Sequence, residues 1–126
     1  MKISNRQAAE AQFALGSLLS MDLPIKTSME LALLSTKIDE QVKAFSKVRD
    51  ALISKYKIQV QAGDKEGEVN FATSMDDAGS AIRDFTEKVS ELIETEGEDI
   101  PTKVHFPNGT NLRPDTIKSI IQFVEL

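Results

Sequence analysis

A chain of 126 residues with 40% hydrophobic and 28% charged side chains fits one globular domain of ordinary size, 1–126. It contains no cysteine, which excludes disulfides and thiolate chemistry and fits a cytosolic protein. Its net charge is −5, and residues 61–100 carry twelve acidic against three basic side chains, which argues against a general nucleic-acid binder with clustered Lys and Arg.

Residues 5–19, "NRQAAEAQFALGSLL", read as a first helix, with Ala8, Ala11, Leu15 and Leu18 at helical spacing. The alanines favour helix and let a partner element approach closely. The following "SMDLP" breaks it, because the residue before a proline is pushed out of the α region. The start "MKISNRQAAEAQF" has polar residues where a secretion signal needs an apolar run, and no apolar segment approaches the roughly 18–20 residues that span a bilayer. The chain therefore reads as soluble and intracellular, with no membrane partner.

A second helix is predicted over about 27–57. Thr27 and Glu30 have capping-box spacing, and neither proline nor glycine follows until Gly63. Leu31, Leu34, Ile38, Phe45, Val48 and Leu52 occupy a and d positions of successive heptads, with Gln41 as the polar break, and Val42, Ile53 and Tyr56 widen the stripe. Such a stripe serves either a core-facing helix within one domain or an intersubunit coiled coil. The extra apolar positions favour the first.

The period then changes. Ile58, Val60, Val69 and Phe71 alternate with polar residues around "GDKEG", which predicts a β-hairpin over about 58–72. An isolated hairpin is marginal in water, so it must pack on helices or gain strands from elsewhere. Residues 75–95 read as a third helix, capped by Ser74 and faced by Ala78, Ile82, Phe85, Val89 and Leu92. A short strand follows at about 101–106, then a turn at Asn108-Gly109, then a closing helix over about 114–125 with Ile117, Ile120, Ile121 and Val124 on one face. The expected class is α+β, mainly helical. A long central helix packs with two or three others, beside a small β-hairpin and a short third strand.

The residues offer little that carries catalysis. The single histidine, His105, sits in a predicted strand without a partner His or Cys, so a structural or surface role is expected and no metal. The six glycines are scattered and form no phosphate loop. The acidic run Glu94, Glu96, Glu98 and Asp99 lacks calcium-loop spacing and reads as a solvated helix end. No catalytic residue and no cofactor is expected. Residues 37–60 hold six basic side chains against three acidic ones, opposite in sign to residues 61–100, and opposite signs in neighbouring segments suggest that they face each other within or between chains.

Arg49 is the anomaly. Its helical neighbours Val42, Phe45, Leu52, Ile53 and Tyr56 are all apolar or aromatic. Its stem can lie on the stripe while the guanidinium reaches water, it can pair with a carboxylate from residues 61–100, or it can bind an anionic ligand with Tyr56 as a second donor. A structural role is favoured.

Leu23, Pro24, Ile25, Lys26, Thr27, Ser28, Leu31, Phe45, Arg49, Leu52, Ile53, Lys55 and Tyr56, followed by Ile100-Pro101, Lys103, Leu112 and Pro114, form an "LPIKTS…F…R..LI.KY" pattern. It resembles a family of small uncharacterised proteins of tailed bacteriophages and prophages. The resemblance implies a phage origin and placement in the cytoplasm of the infected cell or on the virion. It supplies no reaction, and it makes Arg49 part of the pattern. The expected function is non-enzymatic: self-association and binding of a phage or host protein, in virion assembly or in control of a host protein. The alternative is an oligomeric binder that sequesters a host nucleotide immune signal, with Arg49, Tyr56 and Lys26 as ligand candidates.

Overall fold

A computed structural model describes residues 1–125. These form four α-helices, one 3-10 turn and two separate two-stranded sheets: α1 (Asn5–Leu19), α2 (Ile25–Lys55), β1 (Ile58–Ala62), β2 (Val69–Thr73), α3 (Ala78–Glu94), β3 (Val104–His105), α4 (Pro114–Lys118), the 3-10 turn Ile121–Phe123 and β4 (Val124–Glu125). The protein is α+β and mainly helical, as its periodicities require. It divides into two compact units. One comprises Met1–Lys43 and the chain from Thr95 onward; the other is the continuous segment Ala44–Glu94.

The first unit is built on α1 and the first half of α2. Ser4 caps α1: its hydroxyl accepts from the Gln7 amide N–H, and the Gln7 side chain accepts from the Ser4 N–H. Ala8, Ala11, Leu15 and Leu18 are fully buried with Leu31, Leu34 and Ile38 of α2. Ile3, Ile100, Val104, Ile120 and Phe123 complete this core, and a side-chain hydrogen bond from Gln12 to Asp39 (2.9 Å) ties α1 to α2 at its edge. Residues 1–5 run along 95–100. Asn5 N–H donates to Thr95 O, Gly97 N–H to Ile3 O, and Ile100 N–H to Met1 O. Gln41, the polar break in the heptads, donates to Ile3 O and to Asn5 Oδ1. Gly97 lies so close to the Gln41 amide that a Cβ there would come within 2.4 Å of it.

Two expectations about this unit fail. Thr27 does not cap α2. The helix already begins at Ile25, where the Pro24 carbonyl accepts from Ser28, and Thr27 is buried in the first turn with its hydroxyl donating to the His105 carbonyl. The closing helix is not continuous over 114–125. It ends at Lys118, Phe123 inserts into the core, and Val124 pairs with Val104 in a parallel ladder. Core insertion and strand pairing of β-branched and aromatic residues outweigh the helical spacing.

The second unit is smaller. Its buried core is Tyr56, Ile58, Ala81 and Phe85, with Leu52, Ile53, Ile82 and Val89 packed against it. Phe85 meets Tyr56 and Phe71 edge to face, at centroid distances of 6.3 and 5.4 Å. Asp77 rather than Ser74 caps α3, accepting from the Ser80 N–H. Lys57, at φ 50°, turns the chain from α2 into β1. The hairpin is antiparallel, with Ile58 opposite Thr73, Val60 opposite Phe71 and Ala62 opposite Val69, and Gly67 supplies positive φ (79°) in its turn. Ile58 is buried, whereas Val60 and Val69 on the same face are more than half exposed.

Candidate functional site

A polar cluster of the first unit is centred on His105. Glu30, one turn after Thr27 on α2, grips it twice: one carboxylate oxygen accepts from the His105 backbone N–H (3.2 Å) and the other lies 2.7 Å from Nδ1. Nε2 lies 3.0 Å from a carboxylate oxygen of Glu125, the register partner of His105 in the β3–β4 ladder. Parallel pairing sets these side chains side by side, and the Thr27 hydroxyl holds the His105 carbonyl at 2.8 Å. A neutral imidazole has one N–H and cannot donate to two carboxylates; the imidazolium can. The hydrogen bond that the protonated ring donates to Glu30, joined by the charges of both carboxylates, holds the His105 pKa above its ordinary value. Burial pushes Glu30 upward, but the hydrogen bonds and charge of His105, with Lys26 nearby, bring it below the ordinary value.

This arrangement fastens the strand pair to α2. It does not resemble a nucleophile–base pair, because both ring nitrogens already face carboxylates. Nor do the three side chains converge on one point where a cation could sit, and no group of three or more His, Cys, Asp or Glu suited to a metal occurs among the described residues.

The ligand candidates fall in two units. Arg49 is exposed on the second half of α2. Its guanidinium lies 5.7 Å from the Phe45 ring centroid and 3.5 Å from the Asp50 carboxylate, its sequence neighbour. The guanidinium thus sits over an aromatic ring of the stripe while the side chain stays open to water. Tyr56 is buried against Phe85 with Lys55 Nζ 5.5 Å above its ring. Lys26 is exposed in the first turn of α2, in the other unit. The predicted seam divides likewise. Leu31, Leu34 and Ile38 are fully buried in the first core, Leu52 packs on the second, Phe45 is half-buried and Val48 is exposed.

Two features escaped the sequence reading. An open cleft of about 530 Å³ lies between the end of α1 and the 111–116 segment, lined by Ser17, Met21, Asn111, Arg113 and Thr116 over an apolar floor. The outer face of α2 carries Ile25, Met29 and Leu33 at one-turn intervals, 80%, 57% and 56% exposed, and Phe13 on α1 is 85% exposed. Their four-residue spacing was visible, but the stronger Leu31–Leu34–Ile38 stripe on the opposite face drew the assignment. No helix among the described residues is long and apolar enough to cross a membrane. Comparison with family models, curated proteins and solved structures finds no match to this chain.

Proposed function

We propose that this protein works by association, with itself and with a partner protein, and that it does so in the setting of a bacteriophage infection, as its sequence pattern suggests. The observation that carries this reading is the uncovered apolar surface. Ile25, Met29 and Leu33 line one side of α2 opposite the face that fills the core, and Phe13 is almost wholly in water. Large contiguous apolar side chains are seldom left exposed on a monomer without an interaction to serve. An amphipathic helix that shows a second apolar stripe has the i, i+4, i+8 anchors of helix-in-groove recognition. The virion or a host protein supplies the partner in this reading.

Light scattering across a micromolar concentration series, with affinity capture of phage and host proteins, is the test. The expected result is a mass above that of one chain, or a captured partner lost in Met29→Lys. A chain that stays monomeric throughout and captures nothing overturns the proposal.

A further inference from the structure

The hairpin of the second unit has an open seam. Among the described residues β1 pairs only with β2, so its other edge is unpaired. The Gly63 amide donates to the Glu68 carbonyl. By antiparallel alternation the amides and carbonyls of Ile58, Val60 and Ala62 therefore point away from β2, toward the free edge. That edge bears none of the usual protection. "IQVQA" has no charge, no proline and no bulge, and its exposed apolar side chain is Val60, 59% accessible. The core beneath holds four buried side chains, little for a unit spanning Ala44–Glu94, and two strands are fewer than a free-standing sheet needs.

Charge identifies the occupant. Lys55 and Lys57 precede β1, while Asp64, Glu66 and Glu68 follow it with only Lys65 opposed. Neither Lys57 nor Asp64 has an ion-pair partner within the chain among the described residues. A strand positive at its start and negative at its end is self-complementary when a copy runs antiparallel to it. Centred on Val60, the pairing sets Ile58 against Ala62 of the other copy and brings the basic end of each strand, Lys55 and Lys57, toward the acidic turn of the other, Asp64 and Glu66. The β2 edge has no such property. Glu66 and Glu68 precede it and Asp76 and Asp77 follow, so antiparallel self-pairing there opposes like charges.

We infer that two copies of this chain join through β1, edge to edge about a two-fold axis at Val60, to form a continuous four-stranded sheet. The inference rests on the self-association reading and gives self-association a seam in the second unit, leaving the α2 face of the first unit to the partner protein. One apolar face then runs through Val69, Phe71 and Val60 of one hairpin into Val60 of the next, and Val60 becomes a hydrogen-bonded pair with its own copy.

The chain has no cysteine, so one introduced thiol reports one contact. Facing residues of a hydrogen-bonded antiparallel pair have Cα atoms about 5.5 Å apart, inside the range of a disulfide. Under copper phenanthroline, Val60→Cys is expected to run as a covalent dimer and Val69→Cys as a monomer. Val60→Pro, which removes the amide on the axis, is expected to sediment as a monomer with native circular dichroism. Lys57→Glu is expected to weaken the dimer and Lys57→Glu/Asp64→Lys to restore it. A wild-type dimer in which Val60→Cys stays uncrosslinked, or Val69→Cys crosslinks as readily, overturns the β1 seam and leaves self-association standing. A wild-type monomer overturns both. If Val60→Pro unfolds, the crosslinking pair decides, because cysteine is close to valine in size.

Discussion

The two units hold their folds by different means. The unit containing α1 draws thirteen buried apolar side chains from both ends of the chain, mostly aliphatic, and closes over them with backbone hydrogen bonds between residues 1–5 and 95–100. The unit containing the hairpin has four, in one continuous segment, two of them the aromatic Tyr56 and Phe85. Buried apolar area is the main favourable term in folding, so the first unit has much the larger share of it, and the second gains more from any surface that covers it. A single run of heptads through α2 conceals this contrast, because the same periodic stripe is fully buried at Leu34 and exposed at Val48.

Truncating the largest fully buried side chain should separate the units most sharply. Phe123→Ala is expected to destabilise the first unit by about 3–5 kcal/mol through lost burial and the cavity left behind, read as a drop in the denaturant midpoint. Phe85→Ala removes the ring that Tyr56 and Phe71 both touch. Amides of β1, β2 and α3 should lose protection in hydrogen exchange while those of α1 keep theirs, and equal loss in both units would erase the comparison. Gly97→Ala displaces the Gln41 amide from its hydrogen bonds to Ile3 O and Asn5 Oδ1 and should cost about 1–3 kcal/mol, in thermal melts monitored by circular dichroism.

The smallest effect is electrostatic and belongs to the first unit alone. The folded pKa of His105 is raised, so its contribution is complete below the unfolded value of about 6.5 and disappears as pH rises through the folded value. Glu30 is lowered, so its contribution is present above about 4.3 and disappears as pH falls through its folded value. The stability difference between wild type and His105→Gln should therefore be greatest near pH 5–6 and shrink toward pH 8. A difference that does not change over that interval means the ring is not held as the imidazolium. His105 is half exposed, so solvent screens the interaction.

The helices were legible where one apolar face repeats without interruption, as in α1, the α2 stripe and α3. The hairpin was legible from its alternation and its glycine-bearing turn. Tertiary pairing overrode local pattern elsewhere. The Ile120–Val124 run has helical spacing, yet Phe123 is wholly buried and Val124 pairs with Val104, which nothing in the neighbouring sequence announces. Thr27 and Glu30 match a capping box, but both turn to His105, seventy-five or more residues away. The His105 cluster unites α2, β3 and β4, and a chain without repeated histidines or cysteines gives no spacing from which to find it. Arg49 stood out by sequence as a charge among apolar neighbours, and its guanidinium lies over Phe45.

The nesting of one unit inside the sequence of the other also sets an order of events in synthesis. The contacts of the hairpin and α3 are local and can form as soon as Glu94 has emerged. The first core has to wait for Val104, Ile120 and Phe123, and the Asn5–Thr95 hydrogen bond closes a loop of ninety residues. Non-local closure of this kind slows folding. A nascent chain can thus complete the hairpin and its β1 edge while the first core still lacks four of its thirteen buried side chains.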